Sequence, residues 1–164
     1  MSKTVEGWHR VLGAFDNWIS YESSEFGPWT GYFSLENLGT LTHEERLGWM
    51  HSMYDEVIPG RVDRCREAGV ALEDFLPYMP DDDAVEVVQS MIDLSTVIQD
   101  LMLRMSDTVY SMMEEYKESG LDEINSYLST VTETEEEIRH NMSLYSQGFG
   151  KLDSMGLQIP EDMR

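Results

Sequence analysis

The sequence predicts an all-α protein: a long antiparallel helical hairpin, about residues 81–119 and 121–151, packed with an N-terminal layer of shorter helices. Two apolar stripes and the glycine between them predict it. In the second stripe, Leu121, Ile124, Leu128, Val131, Glu135, Ile138, Met142, Tyr145, Phe149 and Leu152 step by alternating 3 and 4, with Glu135 the one polar exception. In the first, with Met91 as heptad position a, the a positions are Ala84, Met91, Ile98, Met105 and Met112, and the d positions are Val87, Leu94, Leu101, Thr108 and Glu115. Val88, Met102, Val109 and Tyr116 at position e widen that stripe, so it must be buried against more than one helix. Gly120 stops the first helix and, with a one- or two-residue turn, folds the second back on it.

The elements ahead of the hairpin follow from local signals. A first helix from about Thr4 to Tyr21 carries Trp8, Leu12, Phe15 and Ile19 on one face. Residues 22–41 read as a connection, punctuated by Gly27-Pro28 and Gly31. Thr42 followed by Glu45 is a capping-box signature, so a second helix starts there, with Leu47, Met50, Met53, Tyr54 and Val57 on its apolar side. Pro59-Gly60 is expected to interrupt it, and a short helix from about Arg61 to Glu67 to end at Gly69. Leu76-Pro77-Tyr78-Met79-Pro80 reads as a non-helical linker, and Asp81-Asp82-Asp83 as the cap and favourable charge at the start of the long helix. No internal repeat and no Gly/Ser- or Pro-rich linker breaks the chain. The expected organisation is therefore one domain over residues 1–164: short helices and an aromatic loop in 1–80, the acidic hairpin in 81–164.

Charge bounds the function. Thirty-two Asp and Glu against 11 Lys and Arg give a net charge of −21, and 14 of those units fall in residues 81–164. A hydrophobic content of 41% separates the chain from disordered acidic tails. So much negative charge argues against direct contact with nucleic acid or an anionic membrane. No apolar run reaches the length of a membrane span, and Met-Ser-Lys-Thr-Val-Glu lacks the blocks of a signal peptide. One cysteine, Cys65, fits a reducing compartment, so a cytoplasmic location is expected.

The sharpest feature is Glu86, Asp93, Asp100, Asp107 and Glu114, which recur every seven residues on the long helix. At 1.5 Å per residue the row spans roughly 40 Å. Glu115 and Glu118 extend its end, and Arg104 and Lys117 are the only cations on that helix. A rigid row of carboxylates imitates the phosphate track of a duplex and attracts a basic groove. It is also what a solvated face or an acidic salt-adapted surface looks like. Three Lys agree with salt adaptation; four Ala and 12 Met agree less well. Glu133, Glu136 and Glu137 form a second cluster with Glu135, whose seam position requires a partner, solvent or a register-setting role.

Other groupings are weaker. His43-Glu44-Glu45-Arg46-Leu47 starts like a zinc-protease helix, but Leu47 stands where the second His is needed. Glu137 and His140 have di-iron spacing without a second such motif. His51 with Glu136 and His140 is similar to DinB-type metal bundles over those three residues and the helix order. That resemblance implies a bound metal only if the second helix packs on the outer face of the last. Arg64 and Arg66 flank Cys65, where two cations can lower its pKa, though a lone cysteine of this kind is more often incidental. Arg61, Arg64 and Arg66 form a basic patch able to meet the acidic row of a second copy, as a homodimer. Phe26, Trp29, Tyr32 and Phe33 crowd one loop, either as an interface anchor or as a cover for the end of the hairpin.

No catalytic residue, metal site or cofactor is assigned from these patterns. The leading expectation is a non-enzymatic acidic protein-binding protein, an inhibitor or nucleic-acid mimic that occupies a basic surface on a nucleic-acid-handling partner. In charge, size and helicity the chain resembles phage-encoded anti-defence proteins. The alternatives are a structural component of a virion or complex, and a metal-dependent helical-bundle enzyme.

Overall fold

The computed structural model describes residues 3–156. Met1, Ser2 and residues 157–164, the ends of the expected domain, lie outside it. The fold is all-α, with no strand among the described residues. Helix α1, Lys3–Tyr21, starts one residue before the expected position. Its buried face holds Trp8, Val11, Leu12 and Trp18, with Phe15 half-buried. Ile19 is 41% exposed, contrary to expectation. Both Trp18 and Ile19 fit the helical period, and the large indole takes the inward position against Tyr145, ring centroids 5.3 Å apart.

Residues 22–41 are more ordered than a bare connection. A π-helical turn, Glu22–Phe26, continues α1 and leads into a 3₁₀ turn, Gly27–Tyr32, with Pro28 in its first turn. A single turn, α2 (Leu35–Leu38), follows, capped where Asn37 N–H donates to Ser34 Oγ at 3.2 Å. Helix α3, His43–Ser52, opens on the expected capping box. Glu45 N–H donates to Thr42 Oγ1 at 3.1 Å, and Thr42 N–H donates to Glu45 Oε1 at 2.9 Å. Those bonds hold the Glu45 carboxyl below its ordinary pKa.

Pro59-Gly60 does not break the next helix, and Gly69 does not end it. Helix α4 runs from Ile58 to Phe75, joined to α3 by a second π-helical turn, Met53–Val57. Within that turn Ile58 N–H reaches back five residues to the Met53 carbonyl. The wider turn accommodates the proline ring, and Pro59 falls in the first turn of α4, where a missing N–H costs least. Both glycines serve packing. A Cβ at Gly60 would collide with the Tyr21 hydroxyl, which donates to the Val57 carbonyl at 2.8 Å. A Cβ at Gly69 would lie 2.6 Å from Ser95 Oγ on the neighbouring long helix.

After a 3₁₀ turn at Leu76–Tyr78, Asp81 caps α5, Asp82–Ser119, through a 2.8 Å bond from Ala84 N–H. All five a positions and Val88, Met102, Val109 and Tyr116 are buried. Of the d positions only Leu101 is buried; Val87, Leu94, Thr108 and Glu115 are half-exposed. The buried face is rotated toward a and e because α5 packs on both α4 and α6. Gly120, at φ 87°, ends α5. The connection is longer than the expected one or two residues: a 3₁₀ turn, Leu121–Glu123, precedes α6, Asn125–Ser154. Seam residues Ile124 through Leu152 are buried as expected, except Met142, which is half-buried. Leu121 packs half-buried against the core. The core is one cluster drawing on every helix. Its aromatic centre includes Phe15 on Phe149 at 4.5 Å and Trp8 on Phe75 at 5.6 Å.

The close approach at Gly60 makes a prediction about stability. Gly60→Ala should displace Tyr21 from Val57 and destabilise the fold by about 1–3 kcal/mol. Urea unfolding should show a lower midpoint at an unchanged m-value, and a midpoint equal to the parent's would refute the assignment.

Candidate acidic interaction surface

Every member of the seven-residue row is solvent-exposed: Glu86, Asp93, Asp100, Asp107 and Glu114. The row lies opposite the a and e positions that anchor α5, so one continuous helix holds the charges in line. Glu118 is also exposed and Glu115 half-exposed, at the end of the row. Gln89 donates to Asp93 at 3.0 Å, and Lys117 stands 3.5 Å from Glu114. Among the described residues no cation lies within salt-bridge distance of Glu86, Asp93, Asp100 or Asp107. Repulsion between row neighbours roughly 10 Å apart is about 0.4 kcal/mol in water and about a third of that at physiological salt. The row therefore costs the fold little while presenting a coherent field.

Glu133, Glu136 and Glu137 are exposed on α6, on another part of the surface. Glu136 borders a cleft of about 410 Å³ with Asn37 and Arg139, whereas Glu86 and Asp93 border a groove between α5 and the end of α6. Glu136 thus borders a different concavity from Glu86 and Asp93.

Glu135 is buried, and its partner is the residue that sequence patterning misplaced. Arg61 is fully buried, so it cannot belong to a surface basic patch. Its Nε and Nη2 donate to Glu22 at 2.6 and 2.7 Å, and its Nη1 and Nη2 donate to Glu135 at 2.7 and 2.9 Å. Phe26 lies flat beneath the guanidinium, 3.7 Å from its carbon to the ring centroid. Arg139 Nε reaches Glu135 from the solvent side at 3.0 Å. Burial alone would lower the Arg61 pKa; the hydrogen bonds and charges of Glu22 and Glu135 outweigh it and raise it, keeping the group cationic. The sequence signal was the carboxylate on the α6 seam, which needed a buried cation. Nothing local marked Arg61 as that cation or Glu22 as the second acid.

The rest of the expected patch is also occupied. Arg64 lies over the Tyr21 ring at 5.3 Å, and Arg66 pairs with Asp63. The burial of Arg61 reduces the expected basic patch to Arg64 and Arg66, both still accessible. Cys65 is corrected too. Its thiol is buried against Ser95, and burial pushes its pKa up to about 12 rather than down. His51 lies 3.9 Å from Asp55, and Glu136 and His140 are exposed on α6. Among the described residues no three His, Cys, Asp or Glu side chains are placed to share a metal ion, so this trio does not converge. His43 instead stacks on Tyr116 at the far end of α5, with Nδ1 2.7 Å from the hydroxyl. The aromatic segment covers the fold: Phe26 is buried, Tyr32 and Phe33 pack edge-on against Trp49, and Trp49 Nε1 donates to the Trp29 carbonyl. No described helix is long and apolar enough to cross a membrane.

Two outcomes test this chemistry. Arg61→Ala leaves buried Glu22 uncompensated and Glu135 with only the solvent-side Arg139, and should cost about 3–5 kcal/mol in chemical denaturation, whereas the triple change Glu22→Leu, Arg61→Met, Glu135→Leu should be far milder. Equal losses in the two variants would refute the role of charge. For Cys65, the thiol in the unfolded chain ionises near its ordinary value of 9.0, while the folded one waits until about 12. Its contribution to stability is present below pH 9 and declines as pH rises through that window. Thiol-reagent labelling at pH 8 should proceed only after unfolding, and rapid labelling of the native protein would contradict the burial.

Comparison with protein-family models, with curated proteins and with solved structures finds no match to this chain.

Proposed function

We propose that this is a non-enzymatic acidic binding protein that occupies a basic, normally nucleic-acid-binding surface of another protein, as an inhibitor or mimic. One observation carries the reading: five exposed carboxylates at seven-residue intervals on one uninterrupted helix, almost unneutralised by neighbouring cations. Ordinary surfaces mix signs. Here the Arg61 ion pairs lie in the interior, and among the described residues four of the five row members have no cation within salt-bridge distance. A basic groove shaped for a phosphate backbone would meet a comparable line of fixed negative charge, drawn together at long range and weakened steeply by salt.

The test is displacement of labelled duplex DNA from basic DNA-binding proteins by the wild-type chain and by Asp93→Asn, Asp100→Asn, Asp107→Asn together. The triple variant should compete at least about tenfold less well, with a shallower salt dependence between about 50 and 200 mM. Equal competition with an equal salt slope would reject the mimicry reading. All three side chains are exposed, so the variant should fold normally, which thermal unfolding checks.

A further inference from the structure

The groove between α5 and the end of α6 has a volume of about 910 Å³ and differs from the rest of the acidic face. Its lining is mixed: Leu94 from α5 with Leu144 and Met155 from the α6 side form an apolar strip, the latter two 38% and 39% exposed, beside the polar Gln89, Ser90 and Gln147. Its border is acidic: Asp83, Glu86 and Asp93, against the single cation Lys151. Leu144 does not belong to the α6 seam; it is an apolar residue turned away from the hairpin core, which packing among the described residues leaves open to solvent.

We infer that this groove is the docking site for a basic amphipathic helix of the partner, which rests on the reading that the partner is a basic protein. The occupant is specified by two features together. A furrow between two antiparallel helices is the seat that a third helix takes in a bundle, with an apolar stripe as its contact. Three carboxylates on the border complement Lys and Arg flanking that stripe and disfavour an acidic or neutral helix. A flexible methionine in the wall tolerates variation in the apolar side chains that enter. A second copy of this chain, at net charge −21, would bring like charge to the same border. The groove also contains the first two members of the row, Glu86 and Asp93, so the helix would dock where the charged track begins.

The experiment uses the full chain and a synthetic leucine–lysine amphipathic peptide of about 18 residues, roughly 27 Å as a helix. Controls are a scrambled peptide of the same composition and one with glutamate for lysine. Titration calorimetry should show binding of the amphipathic peptide alone. Leu144→Gln with Met155→Gln should weaken it at least about tenfold, and Lys151→Glu should tighten it several-fold. Asp100→Asn with Asp107→Asn, outside the groove, should change it by no more than about twofold. Equal binding of the scrambled peptide, or affinity indifferent to Leu144→Gln and Met155→Gln, would overturn the inference. Binding that appears only after deletion of residues 157–164, or dimerisation abolished by those two substitutions, would assign the groove to the chain itself and overturn it equally. The two readings fail separately. Loss of DNA displacement in the row variant with no peptide binding removes the groove alone. Groove-dependent peptide binding without any DNA displacement removes the mimicry and leaves the groove.

Discussion

The buried guanidinium of Arg61 is the constraint around which the helices are arranged. It receives one carboxylate and an aromatic ring from the π-helical turn after α1, and a second carboxylate from α6. Two segments distant in the chain are thereby fixed relative to α4 by directional, bidentate bonds rather than by apolar contact alone. An apolar core tolerates sliding of one helix along another; a planar cation between two carboxylates does not. Arg139 supplies the second positive charge from outside, so the four-residue group is neutral while one edge still touches solvent.

The irregular backbone around this cluster has the same origin. A π-helical turn carries both Glu22 and Phe26 onto Arg61, and a second lies just before Arg61 in the chain. Tyr21 ties the two together through the Val57 carbonyl, in space that only glycine at position 60 leaves open. Widened turns re-aim side chains that a regular helix would point elsewhere. Gly69 has a comparable role on the opposite flank, bringing α4 close to Ser95 of α5.

With α4 on one side and α6 on the other, α5 is anchored through its a and e positions and its opposite face is exposed. Rigidity matters for an electrostatic surface, because charges fixed in advance lose little entropy when a partner arrives. Segregation matters as well. The Arg61 cation is consumed inside the fold, so it cannot neutralise the acidic row.

Patterns of period 3.6 and local caps were legible in the sequence, since they depend on residues three to seven apart. The hairpin, the Thr42–Glu45 box, the Asp81 cap, the stop at Gly120 and the outward-facing row at Glu86 through Glu114 all belong to that class. So did the problem posed by Glu135, whose seam position demanded a partner. The answer was not legible, because Arg61 and Glu22 lie 74 and 113 residues earlier and only packing brings them to it. The same distinction explains Pro59-Gly60 and Gly69, which locally signal breaks and in the folded chain allow a widened turn and two close contacts. It explains Cys65, whose neighbours in sequence are cations but whose surroundings in space exclude water. Sequence alone determined α1, the capped start of α3, the helical hairpin and the line of negative charge. Tertiary structure decided which charges are spent inside, which remain outside, and where a groove with an apolar strip opens beside them, because burial is a property of neighbours in space.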